Sequence, residues 1–202
     1  MATIHRVIVE VDDPARAEEL HRALGVEEHL EARAAAAAGT GFRGFTVSLV
    51  AAQPADVRLL LERAVAAGAA VVQEPKKSLW GYGGSFRDAD GGLWTLASSS
   101  KKDKGEATGR VDELVLQIGV HDVAASKKFY ERQGFTVAKS YGRKYAELDT
   151  GAVTLALAPR PSLAKTAGVP EDGDGSHQVA IRSDAGTFTD PDGFVWESAT
   201  PS

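Results

Sequence analysis

Apolar and polar side chains broadly alternate along residues 4–11 (IHRVIVEV), the period of a strand with one covered face. Residues 13–24 switch to helical spacing and carry their own punctuation. Asp13 is placed to accept backbone N–H bonds, Pro14 suits the first helical position, and Gly25 can take the left-handed conformation that ends the helix. A strand follows over 45–52 (FTVSLVAA). From Pro54 to about Ala67, Val57, Leu60, Leu61, Ala64 and Val65 share one helical face, and Gly68 stops the run. Strands near 69–74, 81–88 and 92–98 close this half.

The second half reads alike. VIVEVDDPARAEELHRALGV from Val7 aligns with LQIGVHDVAASKKFYERQGF from Leu116, pairing Asp13 with Asp122 and Gly25 with Gly134. Strands are expected near 112–120, 136–141, 144–149 and 152–158, with a turn at Asp149-Thr150-Gly151. Residues 159–176 read as a Pro/Gly/acidic loop before the strand HQVAIRS. Only Asp184-Ala185-Gly186 separate that strand from the next, so a helix is missing there. The ends of the halves also match: FRDADGGLWTLAS (86–98) and FTDPDGFVWESAT (188–200) agree at Asp88/Asp190, Asp90/Asp192, Gly91/Gly193 and Trp94/Trp196. Two copies of one unit are therefore present, each ending in an Asp-Gly turn and an aromatic-bearing strand. The polar stretch 98–110 (SSSKKDKGEATGR) marks a linker. The expected division is 1–98, a linker over 99–110, and 111–202.

Composition narrows the partners. With 23 Lys and Arg against 28 Asp and Glu in 202 residues, phosphate-backbone binding is not expected. The absence of cysteine excludes disulfides, thiol catalysis and iron–sulfur ligation. No signal-like or membrane-spanning run is evident, and the chain reads as cytoplasmic.

Paired βαβββ modules bearing D-x-D-G-x-x-W near each end resemble the vicinal oxygen chelate superfamily, which includes glyoxalase I, extradiol dioxygenases and bleomycin-binding resistance proteins. The matching segments are WGYGGSFRDADGGLW and FTDPDGFVWE. The resemblance implies an α+β fold of two tandem glyoxalase-like domains whose curved mixed sheets form a cup. The four modules are then short, full, full and short: the first lacks much of its hairpin and the fourth its helix. It also implies where a divalent metal would be held, on the first and last strands of modules. Those positions are Arg6, Thr46, Val115 and His177 on first strands, with Thr95, Leu155 and Glu197 on last strands. Only His177 and Glu197 suit a metal, and a catalytic ion normally takes at least three protein ligands. His5 is one residue from its place and joins the set only if a bulge intervenes.

The expected function is therefore small-molecule binding of the glyoxalase/bleomycin resistance type, sequestering an aromatic natural product or antibiotic with no cofactor. The competing expectation is a metal-dependent lyase or dioxygenase using His177 and Glu197. Arg6, Trp80, Tyr82, Tyr141 and Tyr145 are the candidate ligand-binding residues, since rings beside the glycines of WGYGG suit a flat ligand. Trp94 and Trp196 are expected in the core. Neither nucleic acid nor membrane is an expected partner. The two fused units allow a self-sufficient monomer, or a homodimer.

Overall fold

The computed structural model of the chain describes residues 1–79 and 81–199. Strand β1 (Ile4–Val11) leads into helix α1 (Pro14–Leu24), capped by Asp13 and closed by Gly25 at φ 71°. Strands β2 (Leu30–Ala34) and β3 (Gly39–Gly41) complete the first module. The second comprises β4 (Phe45–Val50), α2 (Pro54–Ala66), β5 (Ala70–Ser78), β6 (Gly81–Arg87) and β7 (Leu93–Ser98). The third comprises β8 (Glu113–Val120), α3 (Val123–Arg132), β9 (Thr136–Ser140), β10 (Ala146–Asp149) and β11 (Val153–Pro159). Helix α4 (Arg160–Ala167) and β12 (Gly173–Gly175) precede the fourth module, β13 (Val179–Ser183), β14 (Phe188–Thr189) and β15 (Val195–Ser198). As the sequence indicates, no helix follows β13.

Each large sheet draws on both halves of the sequence. The complete modules two and three form an eight-stranded sheet, β5-β6-β7-β4-β8-β11-β10-β9, joined where β4 runs antiparallel to β8. The truncated modules one and four form a five-stranded sheet, β14-β15-β13-β1-β2, joined by antiparallel β1 and β13. Strands β3 and β12 pair separately. The division at the linker thus separates the sequence repeats but not the sheets.

The repeated motif ties these sheets together. Asp88 accepts from the backbone N–H of Asp90 (3.0 Å) and Gly92 (2.7 Å) and from the Trp94 indole (2.9 Å), closing the turn before β7. Asp90 then accepts from the N–H groups of Asp12 and Asp13 and from Arg16, at the start of α1. In the second copy Asp190 accepts from Asp192 and Phe194, while Asp192 accepts from His121 N (2.7 Å) and Ser126 Oγ (2.8 Å) at the start of α3. One carboxylate folds the turn and the next holds a helix that belongs to the other sheet. One bond differs between copies. The Tyr130 hydroxyl donates to Asp190 where Trp94 serves Asp88, and the Trp196 indole N–H meets no acceptor within hydrogen-bond geometry among the described residues.

Two segments depart from expectation. The stretch 159–176 contains α4, whose Leu163, Ala164 and Ala167 are buried and which Gly168 closes at φ 82°. An eight-residue helix with so few apolar positions has too short a periodicity to stand out beside its prolines and glycines. The linker is irregular, as expected, but docked. Asp56 accepts from Thr108 N (2.6 Å) and Gly109 N (2.9 Å), and Asp103 accepts from Ala55 N at the start of α2.

Candidate functional site

The chemistry of the eight-stranded sheet follows from strand alternation. Val47, Leu49, Leu116, Trp94 and Leu96 lie in the main core. Their alternates, Thr46 and Ser48 on β4, Gln117 on β8, Thr95 on β7 and Ser85 on β6, therefore share the opposite face, the floor of the cup. Helix α4 covers one end of this floor, its Leu163, Ala164 and Ala167 packing with Phe42 and Leu93. Ser85 Oγ donates to the Ala167 carbonyl at 2.8 Å. Gly119 permits the approach, since a Cβ there would lie 2.9 Å from Arg160 Cα.

The other end remains open as a cavity of about 390 Å³ bordered by Ser48, Gln73, Lys76, Thr95, Gln117 and Thr166, among others. Ser48 and Thr95 face each other in register and are only 4% and 8% exposed. Neither hydroxyl has a protein partner among the described residues. Thr46 Oγ1 donates to Gln117 Oε1 (3.0 Å), which fixes the amide and leaves its N–H donors for another acceptor. Sequence reasoning reached Thr46 and Thr95 but missed Ser48 and Gln117. Their signal is polar residues at alternate positions of apolar runs, Thr46 and Ser48 in FTVSLV and Gln117 in LVLQIGV.

A divalent ion does not fit this floor. The donors beside the cavity are neutral hydroxyls and amides, a set that lacks the charge hard cations need and the nitrogen or thiolate that zinc prefers, and the carboxylates farther along this face are already engaged, Glu113 by Thr154 and Glu147 by Tyr145 and Lys139. Leu155 is buried in the core on the other face, and its neighbour Ala156 has nothing to donate. Among the described residues, no group of three His, Asp and Glu side chains is arranged to hold a metal.

The corresponding face of the five-stranded sheet carries a lattice of opposite charges. Arg33 donates to Glu10 (2.8 Å) and Glu197 (2.7 Å), and Arg182 donates to Glu31 (2.8 Å) and Glu197 (3.5 Å). Glu197 is therefore bridged by two guanidinium groups. Arg6 stands opposite Arg182 in register on this sheet and is not among the residues that border the cup's cavity. A bulge does interrupt β1 between Ile4 and Arg6, but the His5 ring it turns out bonds Asp184 (2.9 Å).

His177 is held elsewhere. Its Nδ1 contacts the Arg43 carbonyl at 2.6 Å, its Nε2 contacts the Asp192 carbonyl at 3.0 Å, and its ring stacks on Phe194. Arg43 makes the equivalent contact in the first copy by donating to the Asp90 carbonyl. His177 thus acts as a strut beside the repeated turn. Glu197 pairs in register with Arg182 on β13, five residues beyond His177, and is held by arginines while His177 is held by carbonyls, so the two are not assembled as a ligand pair.

The aromatic candidates also disperse. Trp80 lies outside the described residues. Tyr82 borders the cavity, but its ring shares the face of Phe86, packs on the main core and lies under Arg58 of α2 at 5.9 Å. The glycines beside it serve strand packing, since a Cβ on Gly83 or Gly84 would strike the carbonyl of Leu96 or Gln73. Tyr141 is exposed; its ring is 6.2 Å from that of Tyr145. Burial, then the hydrogen bond to Glu147, pushes the Tyr145 phenol up. Trp94 and Trp196 are core residues, as expected.

No helix among the described residues is long and apolar enough to cross a membrane. No curated protein matches the chain. Among solved structures, glyoxalase I from Zea mays is similar at 18% identity with a TM-score of 0.60, covering 97% of this chain and 91% of that one. The V278E mutant of that enzyme matches at 19% identity and a TM-score of 0.58, covering 98% and 92%. A putative dioxygenase from Bacillus subtilis subsp. subtilis str. 168 matches at 12% identity and a TM-score of 0.54, covering 89% and 69%. Residues 3–96 match the Glyoxalase/Bleomycin resistance protein/Dioxygenase superfamily directly. That match covers just under half of the chain, and across the described residues the chain shares the fold of glyoxalase I.

Proposed function

We propose that the protein binds a small organic molecule in the open end of the eight-stranded cup and performs no metal-centred chemistry there. The carrying observation is the pairing of a cavity of about 390 Å³ with a floor of neutral hydrogen-bonding groups at the strands where a metal would be held. That volume suits a small ligand. The hydrogen-bonding groups on its floor favour a compact oxygen-bearing molecule over the flat aromatic one suggested by WGYGG, because the Tyr82 ring turns towards α2. Binding without turnover is the sequestering activity of a resistance protein.

Elemental analysis tests this reading. Tag-free protein is reconstituted with zinc, nickel, manganese or iron and then desalted. The expected result is no stoichiometric ion. About one tightly held ion per chain, lost on substitution of cup residues, would replace this reading with a metal-dependent lyase or dioxygenase.

A further inference from the structure

Among the side chains that border the cup's cavity, Lys76 alone is charged at neutral pH, and none is a carboxylate. Lys76 stands opposite Gly83 on β5, at the rim, with its ammonium unpaired among the described residues. Deeper in, the side chains that point to the cavity can all donate: the Ser48 and Thr95 hydroxyls and the Gln117 amide, whose oxygen is already occupied by Thr46. Ser48 and Thr95 are more than nine-tenths buried and unpartnered, so their hydrogen-bonding capacity is directed at whatever occupies the space.

Resting on the binding reading above, we propose that the ligand is a small organic anion whose carboxylate or other oxyanion head accepts hydrogen bonds from Ser48, Thr95 and Gln117 and is neutralised by Lys76. Charge-assisted bonds from several neutral donors and one ammonium suit such a head. A cation would meet Lys76 with no compensating carboxylate. A neutral amide would satisfy the donors but gain nothing from the charge. The uncharged part of the ligand lies along Ala97 and the glycine edge of β6.

The test uses four probes of similar size, butyrate, propylphosphonate, butyramide and butylammonium, added at millimolar concentration to the full chain at fixed ionic strength. Binding is followed by backbone amide shifts of β4, β7 and β8. Butyrate and propylphosphonate are expected to shift the amides near Ser48, Thr95 and Gln117. Raised salt weakens this binding. Lys76→Met lowers the affinity about tenfold, and Ser48→Ala with Thr95→Ala lowers it at least as much, at unchanged shift dispersion elsewhere. Lys77→Met, opposite Tyr82 on the other face, leaves it unchanged. Butyrate binding with phosphonate excluded, or the reverse, identifies the head while keeping the class. Equal binding of butyramide, or indifference to Lys76→Met, would overturn the anion class and leave the binding reading standing. If no probe shifts any cup amide, both readings fall.

Discussion

Replacing His21 by leucine should remove a defined part of the protein's acid sensitivity. His21 lies on α1 with 1% of its surface exposed, its ring 5.9 Å from that of Trp94 and its Nδ1 without a partner among the described residues. Burial pushes its pKa from 6.5 down to about 4, against the weaker opposing pull of Asp88 and Glu27. Above pH 6.5 the ring is neutral in both folded and unfolded chains and contributes no pH dependence. As the pH falls from 6.5 to 4, the unfolded chain takes up the proton first, so stability is lost through that window and the loss is complete below about 4. A gap of about 2.5 pH units at ~1.36 kcal/mol each gives about 3 kcal/mol. Urea unfolding of wild type and His21→Leu, followed by tryptophan fluorescence from pH 7.5 to 4, isolates this contribution because every other titrating group cancels in the difference. The variant should match or exceed wild type at pH 7.5, where it loses only an unsatisfied nitrogen, and gain about 3 kcal/mol on it by pH 4. Parallel stability curves for the two proteins would refute the reasoning.

Further outcomes follow from the turns and the charge lattice. Asp88→Ala removes the acceptor of two backbone N–H groups and the Trp94 indole and should cost about 3 kcal/mol, measured by urea midpoint at constant slope. Glu197→Ala separates Arg33 from Arg182 on a partly exposed face and should cost only about 1 kcal/mol, a penalty that shrinks in high salt. A loss of several kcal/mol there, insensitive to salt, would mean that the lattice is a buried structural element.

Where the chain was legible from its sequence, local rules and global fold agreed. The caps at Asp13 and Asp122, the helix stop at Gly25 and the repeated turn at Asp88 and Asp190 each satisfy backbone groups within a few residues, so spacing alone locates them. The site was harder to read because its residues meet only through pairing across the chain. Ser48 meets Thr95, and Thr46 meets Gln117, 71 residues away. His177 and Glu197 have the side chains of metal ligands, but carbonyls engage one and arginines the other. A residue's chemistry did not reveal its neighbours. Tyr82 shows the same limit in a single strand: WGYGG suggests a ligand wall, yet continuous alternation from Tyr82 to Phe86 assigns its ring to the core side.

The claim that the cup works without a metal is tested most directly inside the cup itself. Manganese(II) is titrated at substoichiometric levels into the isotope-labelled full chain while backbone amide line widths are recorded, because a bound paramagnetic ion broadens its neighbours selectively. The account predicts no preferential broadening at Thr46, Ser48, Thr95 and Gln117. Their selective loss at low manganese, reversed by chelation, would contradict it.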